Sequence, residues 1–165
     1  MTNVELTFQK RSGRTGFSTK IPYLVVDNFP ALGLLTSLRF LEWVSENPEG
    51  LISLPTGKTP EYFLKWTRRF LEGWNRPENR RIMEENGFTI RKKPVMKKLR
   101  FVQMDEFYPI DPGQHNSFYN YVLNFYIKGF GLDPAAALLM NSDEIRLAEG
   151  MHYSRVFPGN RIDLS

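Results

Sequence analysis

The chain has 165 residues and a formal net charge of +4, with 41% hydrophobic, 14% aromatic and 24% charged residues. That length and balance describe one folded domain, residues 1–165, with a sizeable core, and exclude a disordered or fibrous chain. There is no cysteine, hence no disulfide framework, thiolate metal site or cysteine nucleophile.

The first residues, "MTNVELTFQKRSGRTGF", lack the apolar core of a signal peptide. No run of about 18 apolar residues is present, so no membrane span and no membrane partner are expected. A cytoplasmic location is compatible with these features.

"VELTFQK" (4–10) alternates apolar and polar residues and predicts an edge strand. "RSGRTGFS" reads as a loop, and "IPYLVVD" (21–27) as a short apolar strand weakened by Pro22. From Asn28 to Glu46, Leu32, Leu35, Leu38, Leu41 and Val44 recur at helical spacing. Asp27 or Asn28 can cap this helix, and Pro30 suits its first turn.

"LISL" (51–54) reads as a buried parallel strand, "PTGKT" as a turn, and "PEYFLKWTRRFLEGW" as the next helix, with Phe63, Trp66, Phe70 and Trp74 along one stripe. "RPENRRIMEENG" (76–87) predicts a short helix ended by Gly87, and "FTIRKKPVMKK" an irregular approach to the next strand. "LRFVQMD" (99–105) is the next strand and "EFYPIDPGQHN" a long loop. "SFYNYVLNFYIKGFGL" is a helix capped by Asn116 or Ser117 and ending near Gly129 or Gly131. "AALLM" predicts a strand and "SDEIRLAEGMHYSRVF" a last helix. Strands alternating with helices imply an α/β fold, a mostly parallel sheet with helices on both faces.

Much of the positive charge sits in "RKKPVMKKLR" (91–100). Without interleaved aromatics or a nucleic-acid motif, this run reads as a solvated segment leading into a strand, and no nucleic-acid partner is expected.

In parallel α/β sheets ligands bind at the carboxyl ends of strands, so two turns matter. The first contains Gly57-Lys58-Thr59, the end of a nucleotide P-loop. The glycine such a loop requires would stand where Ile52 is, which excludes that reading. A shorter phosphate turn remains. Gly57 lets the backbone approach an anion, Thr59 offers a hydroxyl and an amide, and Pro60 suits a helix start with free N–H groups. A plain strand-turn-helix connection is equally compatible with the local chemistry.

The second turn carries Asp105 and Glu106 just beyond a strand. Adjacent carboxylates in extended chain point to opposite sides, so one can face a cleft and the other a loop or helix. A carboxylate partly removed from water can serve as a general base or acid near neutrality. Loop and cap roles for both are the alternative. His115 and His152 are the only histidines and lack metal-ligand spacing, so no metal is expected. No Gly-x-Ser-x-Gly nucleophile elbow occurs.

Taken together, "LPTGKTP" (54–60), "MDEFYP" (104–109) and "HNSFYNYV" (115–122) resemble the motifs of the glucosamine-6-phosphate deaminase/isomerase family. The family's phosphate turn is Leu-Pro-Thr-Gly-Ser/Gly-Thr-Pro. Its later strand ends on Asn-Met-Asp-Glu-Tyr, and a Ser-aromatic helix start follows. The resemblance runs over roughly residues 21–150.

It implies a modified Rossmann-like fold and conversion of glucosamine 6-phosphate and water to fructose 6-phosphate and ammonia, without a redox cofactor. It further implies that Asp105 transfers the proton between C1 and C2 of the opened sugar, and that Thr56, Gly57, Lys58, Thr59, Glu106 and Ser117 bind the sugar phosphate. The small-molecule sugar phosphate is then the expected partner, and the family's habit of assembling implies a homo-oligomer.

Several residues depart from the pattern. Lys58 stands where the family has Ser or Gly, Gln103 replaces Asn, Phe107 replaces Tyr, and residues 72–98 resemble an insertion. His115 is one place away from the family's histidine. The family's later Gly-x-Gly-x-Asp-Gly-His motif, which supplies the ring-opening histidine, has no match. The expectation is therefore the N-terminal portion of a longer fold, not a competent deaminase by itself. A 6-phosphogluconolactonase-like hydrolase, whose usual Asp-Glu-Arg contrasts with Asp-Glu-Phe here, and a non-catalytic sugar-phosphate-binding module are the alternatives.

Overall fold

The computed structural model describes residues 1–13, 20, 21, 23–144, 155 and 158. The chain forms two compact units: residues 1–48 with 59–95, and residues 49–58 with 96–165.

The first unit is helical. Residues 4–10, expected as a strand, belong instead to α1 (Asn3–Ser12). The cause is a capping box. Thr2 Oγ1 accepts the Glu5 N–H, and the Glu5 carboxylate accepts the Thr2 N–H at 2.8 Å. Val4 and Phe8, one helical turn apart, are buried, and Gly13 ends the helix with φ 62°.

The strand expected at 21–27 is also absent: Tyr23–Val26 lie outside any strand. Leu24, Val25 and Val26 are each half-buried, so no alternating buried face forms to specify a pairing.

α2 (Phe29–Glu46) starts as expected, with Asn28 Oδ1 accepting the Ala31 N–H at 2.9 Å and Pro30 in the first turn. Its buried stripe is Leu35, Leu38, Leu41 and Val44; Leu32, expected in that stripe, is 42% exposed. α3 (Glu61–Glu72) packs on α2 at Gly33, where a Cβ would lie 2.4 Å from the Tyr62 Cβ. The Thr67 hydroxyl donates to Ser37 Oγ at 2.9 Å, satisfying both buried groups.

α4 (Pro77–Glu85) follows, and Gly87 (φ 82°) closes it. Asn79, 2% exposed, accepts from Arg69 Nε at 2.8 Å and donates to the Gly73 carbonyl at 2.9 Å, tying α4 to the end of α3. Arg91 pairs with Glu84, so the start of the basic run is a solvated, paired segment.

The second unit holds the sheet. β1 (Leu51–Ile52), β2 (Arg100–Val102) and β3 (Ala137–Leu138) lie in that order and pair in parallel. Leu51 faces Arg100 across β1 and β2, and Phe101 faces Ala137 across β2 and β3. The ladder extends through the Arg100 N–H to the Gly50 carbonyl and the Gln103 N–H to the Leu138 carbonyl, both 2.9 Å.

α5 (Phe118–Tyr121) continues as a π-helical stretch, Val122–Lys128. Its Tyr126 ring lies 5.6 Å from that of Phe101, which is 1% exposed at the centre of the sheet. Lys98 pairs with Glu49 at 3.1 Å. Residues Ser142–Glu144 form a 3-10 turn. Apart from residue 155, the rest of the expected last helix, with "RIDLS", His152, Pro22 and most of the "RSGRTGFS" loop, lies outside the described residues. Among the described residues no helix is long and apolar enough to cross a membrane.

Candidate functional site

Two carboxyl strand ends of the second unit stand side by side, because β1 and β2 are neighbours in a parallel sheet. Thr56, Gly57 and Lys58 follow β1, and Asp105 and Glu106 follow β2. In the turn after β1, Gly57 has φ 88°, a region that an L side chain rarely adopts. Thr56 is half-buried, and Gly57 and Lys58 are exposed. Thr59, expected at the same turn, belongs to the other compact unit and is also exposed.

Phenols hold this turn. The Tyr121 hydroxyl donates to the Gly57 carbonyl at 2.9 Å, and the Tyr126 hydroxyl donates to the Pro55 carbonyl. Burial pushes the Tyr126 phenol well above its ordinary range, with Tyr121 adding to the shift, so it stays a protonated donor across physiological pH.

The adjacent acids after β2 differ sharply. Glu106 is saturated. Its carboxylate accepts the Ser117 hydroxyl at 2.8 Å and the N–H groups of Phe107, Phe118 and Tyr119 at 2.9, 3.0 and 2.7 Å. Ser117, fully buried, is also the N-cap of α5, accepting the Asn120 N–H at 3.2 Å. Glu106 and Ser117 thus form one capping assembly at the helix start, where the amide dipoles favour a negative charge. Phe107 packs on Phe118, ring centres 4.8 Å apart, closing the same junction.

Asp105 is exposed, and its carboxylate has no hydrogen-bond partner among the described residues. Its backbone, by contrast, is fixed. Gln103, 2% exposed, donates to the Asp105 carbonyl and accepts the Met140 N–H, both at 2.9 Å. One buried amide therefore ties the end of β2 to the segment after β3.

Beside Glu106 a cavity of about 330 Å³ opens between Phe107, Tyr108, Leu139, Met140 and Ser142. It is largely apolar, and its Ser142 hydroxyl is turned to the Ile110 carbonyl at 2.5 Å. His115 is exposed on the loop. Among the described residues no cluster of acids and histidines could hold a metal ion.

Sequence reasoning did not single out Gln103, Tyr121 or Tyr126 as holding these strand ends. Tyr121 was visible as a motif aromatic, but a phenol's carbonyl partner 64 residues away leaves no trace in the sequence.

No protein-family model matches the chain, and no curated protein matches it. Among solved structures, a monomeric glucosamine-6-phosphate deaminase of the NagB superfamily superposes with a TM-score of 0.53 at 16% identity. The match covers 73% of this chain and 43% of that protein, so the chain spans under half the length of the structure it resembles. At that identity the likeness is one of fold: α/β, with the parallel sheet described above.

Proposed function

We propose that the chain binds a sugar phosphate at the carboxyl ends of β1 and β2, and that it supplies the proton-transfer group of a glucosamine-6-phosphate deaminase/isomerase-like reaction. The observation that carries this reading is the pairing of a backbone turn around Gly57 with an open carboxylate, Asp105, on adjacent parallel strand ends. Ligands of open α/β sheets bind at such strand ends.

In this reading the turn and Lys58 take the phosphate through amide N–H groups and one cation. Asp105 removes the proton from C2 of the ring-opened amino sugar and returns it to C1. The nitrogen-bearing C2 becomes an imine, which water hydrolyses to the ketone and ammonia. Atoms balance as glucosamine 6-phosphate plus water giving fructose 6-phosphate plus ammonia. Glu106 and Ser117 contribute by fixing the backbone beside Asp105 and the start of α5. Ring opening is assigned to none of the described residues.

Ligand-induced thermal stabilisation tests the substrate class. Glucosamine 6-phosphate is expected to raise the melting temperature more than 6-phosphogluconate at equal concentration. The reverse order would replace the deaminase reading with a lactonase-like one, and no shift with either would remove the sugar-phosphate reading.

A further inference from the structure

Tyr121 and Tyr126 are five positions apart. In a regular α-helix of 3.6 residues per turn, such residues point about 140° apart around the axis. Here the helix changes to π-helical winding at Val122, directly between them. The wider i→i+5 repeat brings residues five apart toward a common face. Their rings stand 6.0 Å apart, and their hydroxyls reach alternate carbonyls of one turn, Pro55 and Gly57.

The consequence lies in the peptide planes. Only Tyr108–Pro109 is cis among the described peptide bonds, so the Pro55–Thr56 and Gly57–Lys58 bonds are trans. In a trans peptide the N–H points opposite to the C=O. A phenol holding the Pro55 carbonyl therefore turns the Thr56 N–H away from the helix. The second phenol does the same to the Lys58 N–H. Among the described residues neither N–H donates to a protein acceptor. The positive φ of Gly57 between them allows the chain to present both, and a Cβ there would meet nothing within 4 Å. Outward N–H groups gathered on one turn form an anion-binding concavity, and the Lys58 side chain, which has no partner among the described residues, follows directly.

We infer that the π-helical stretch is a registering device: it sets the Tyr121 and Tyr126 phenols as a clamp that turns the Thr56 and Lys58 amides outward to receive a phosphate. The two tyrosines are positioning residues, touching the turn and not the ligand. Lys58 supplies the charge. The inference rests on the sugar-phosphate reading above and adds to it the residues that shape the anion site.

The test compares the 165-residue chain with Tyr121→Phe, whose hydrogen bond is solvent-exposed and whose ring contacts are retained. Isothermal titration with inorganic phosphate and with glucosamine 6-phosphate gives the affinities, thermal unfolding gives the stability, and amide NMR of the unliganded proteins reports the turn. The expected result is a three- to tenfold weaker affinity for both ligands at a melting temperature within about 2 °C of the parent, with amide shifts centred on Thr56–Lys58. Tyr126→Phe should weaken binding similarly but also lower the melting temperature, because its hydroxyl is buried.

Equal affinity in Tyr121→Phe and the parent would overturn the clamp while leaving phosphate binding intact. Failure of the parent to bind either ligand would overturn the sugar-phosphate reading and the clamp's purpose with it.

Discussion

The two compact units use their polar side chains differently. In the first unit, buried and half-buried polar groups tie helix to helix: Ser37 to Thr67, Asn79 to the end of α3, and Arg39 of α2 to Glu5 of α1. In the second, they hold irregular backbone at strand ends. Gln103 fixes residues 105 and 140, Glu106 gathers three amides, and two phenols grip the turn after β1. A scaffold needs its elements joined, and a binding site needs its loops held in one shape. The proposed binding turn lies in the second unit, where polar side chains hold loop backbone rather than join helices.

The comparison can be broken most forcefully at Glu106. Glu106→Ala removes four hydrogen bonds to a charged acceptor and the cap of α5, and is expected to cost about 3 kcal/mol of stability by denaturant titration. Phosphate affinity should fall with it, because α5 carries the clamp. A loss below about 1 kcal/mol would mean that the cap is replaceable by water.

Asn79→Ala is the counterpart in the first unit. It leaves the buried Gly73 carbonyl short of a partner and removes the bond to Arg69, and should cost about 2 kcal/mol. Phosphate affinity, measured well below the melting temperature, should not change. If it fell as in Glu106→Ala, the division of labour between the units would be wrong.

Gly57→Ala is expected to cost about 1 kcal/mol, since the added Cβ meets no atom and only the positive φ opposes it. Here binding should suffer more than stability, the reverse of Asn79→Ala.

The smallest effect is a pH slope. Burial raises the Glu42 carboxyl above the usual glutamate range, against the lowering influence of Arg39. The folded unit then holds this proton more readily than the unfolded chain does. Its contribution to stability is complete below the usual glutamate range and is lost as pH rises through the raised value. Glu42→Gln should flatten that fall when melting temperature is followed from about pH 4 to pH 7. An unchanged slope would show that other groups set it.

Much of this was legible in the sequence, for local reasons. The helix cap at residues 27–28, the Leu35–Val44 stripe, the helix within 76–87 and the three short strands follow from short-range pattern, but β1 is only Leu51–Ile52 and not the buried strand expected over 51–54, since Leu51 is 57% exposed. α1 was misread because "VELTF" satisfies a period of two as well as a helix. The decisive signal is Thr2 followed three residues later by Glu5, and its Thr2 half lies just outside that window. At the site, the sequence separates out the two turns and the two adjacent acids. It could not say which acid is spent on capping, since that depends on Ser117 returning to Glu106 from 11 residues away. Nor could it show the π-helical winding, because an α-helix and a π-helix draw on the same residues and differ only in how tertiary contacts wind them. The clamp bonds join residues 64 and 71 positions apart and belong entirely to the folded state.

The most direct test of the central claim is an amide NMR titration of the 165-residue chain with glucosamine 6-phosphate and, in parallel, with glucosamine. The account predicts saturable shifts at Thr56, Gly57, Lys58 and Asp105 with the phosphorylated sugar, and at most weak effects with the unphosphorylated one. Equal responses to both sugars, or shifts that leave residues 56–58 untouched, would contradict it.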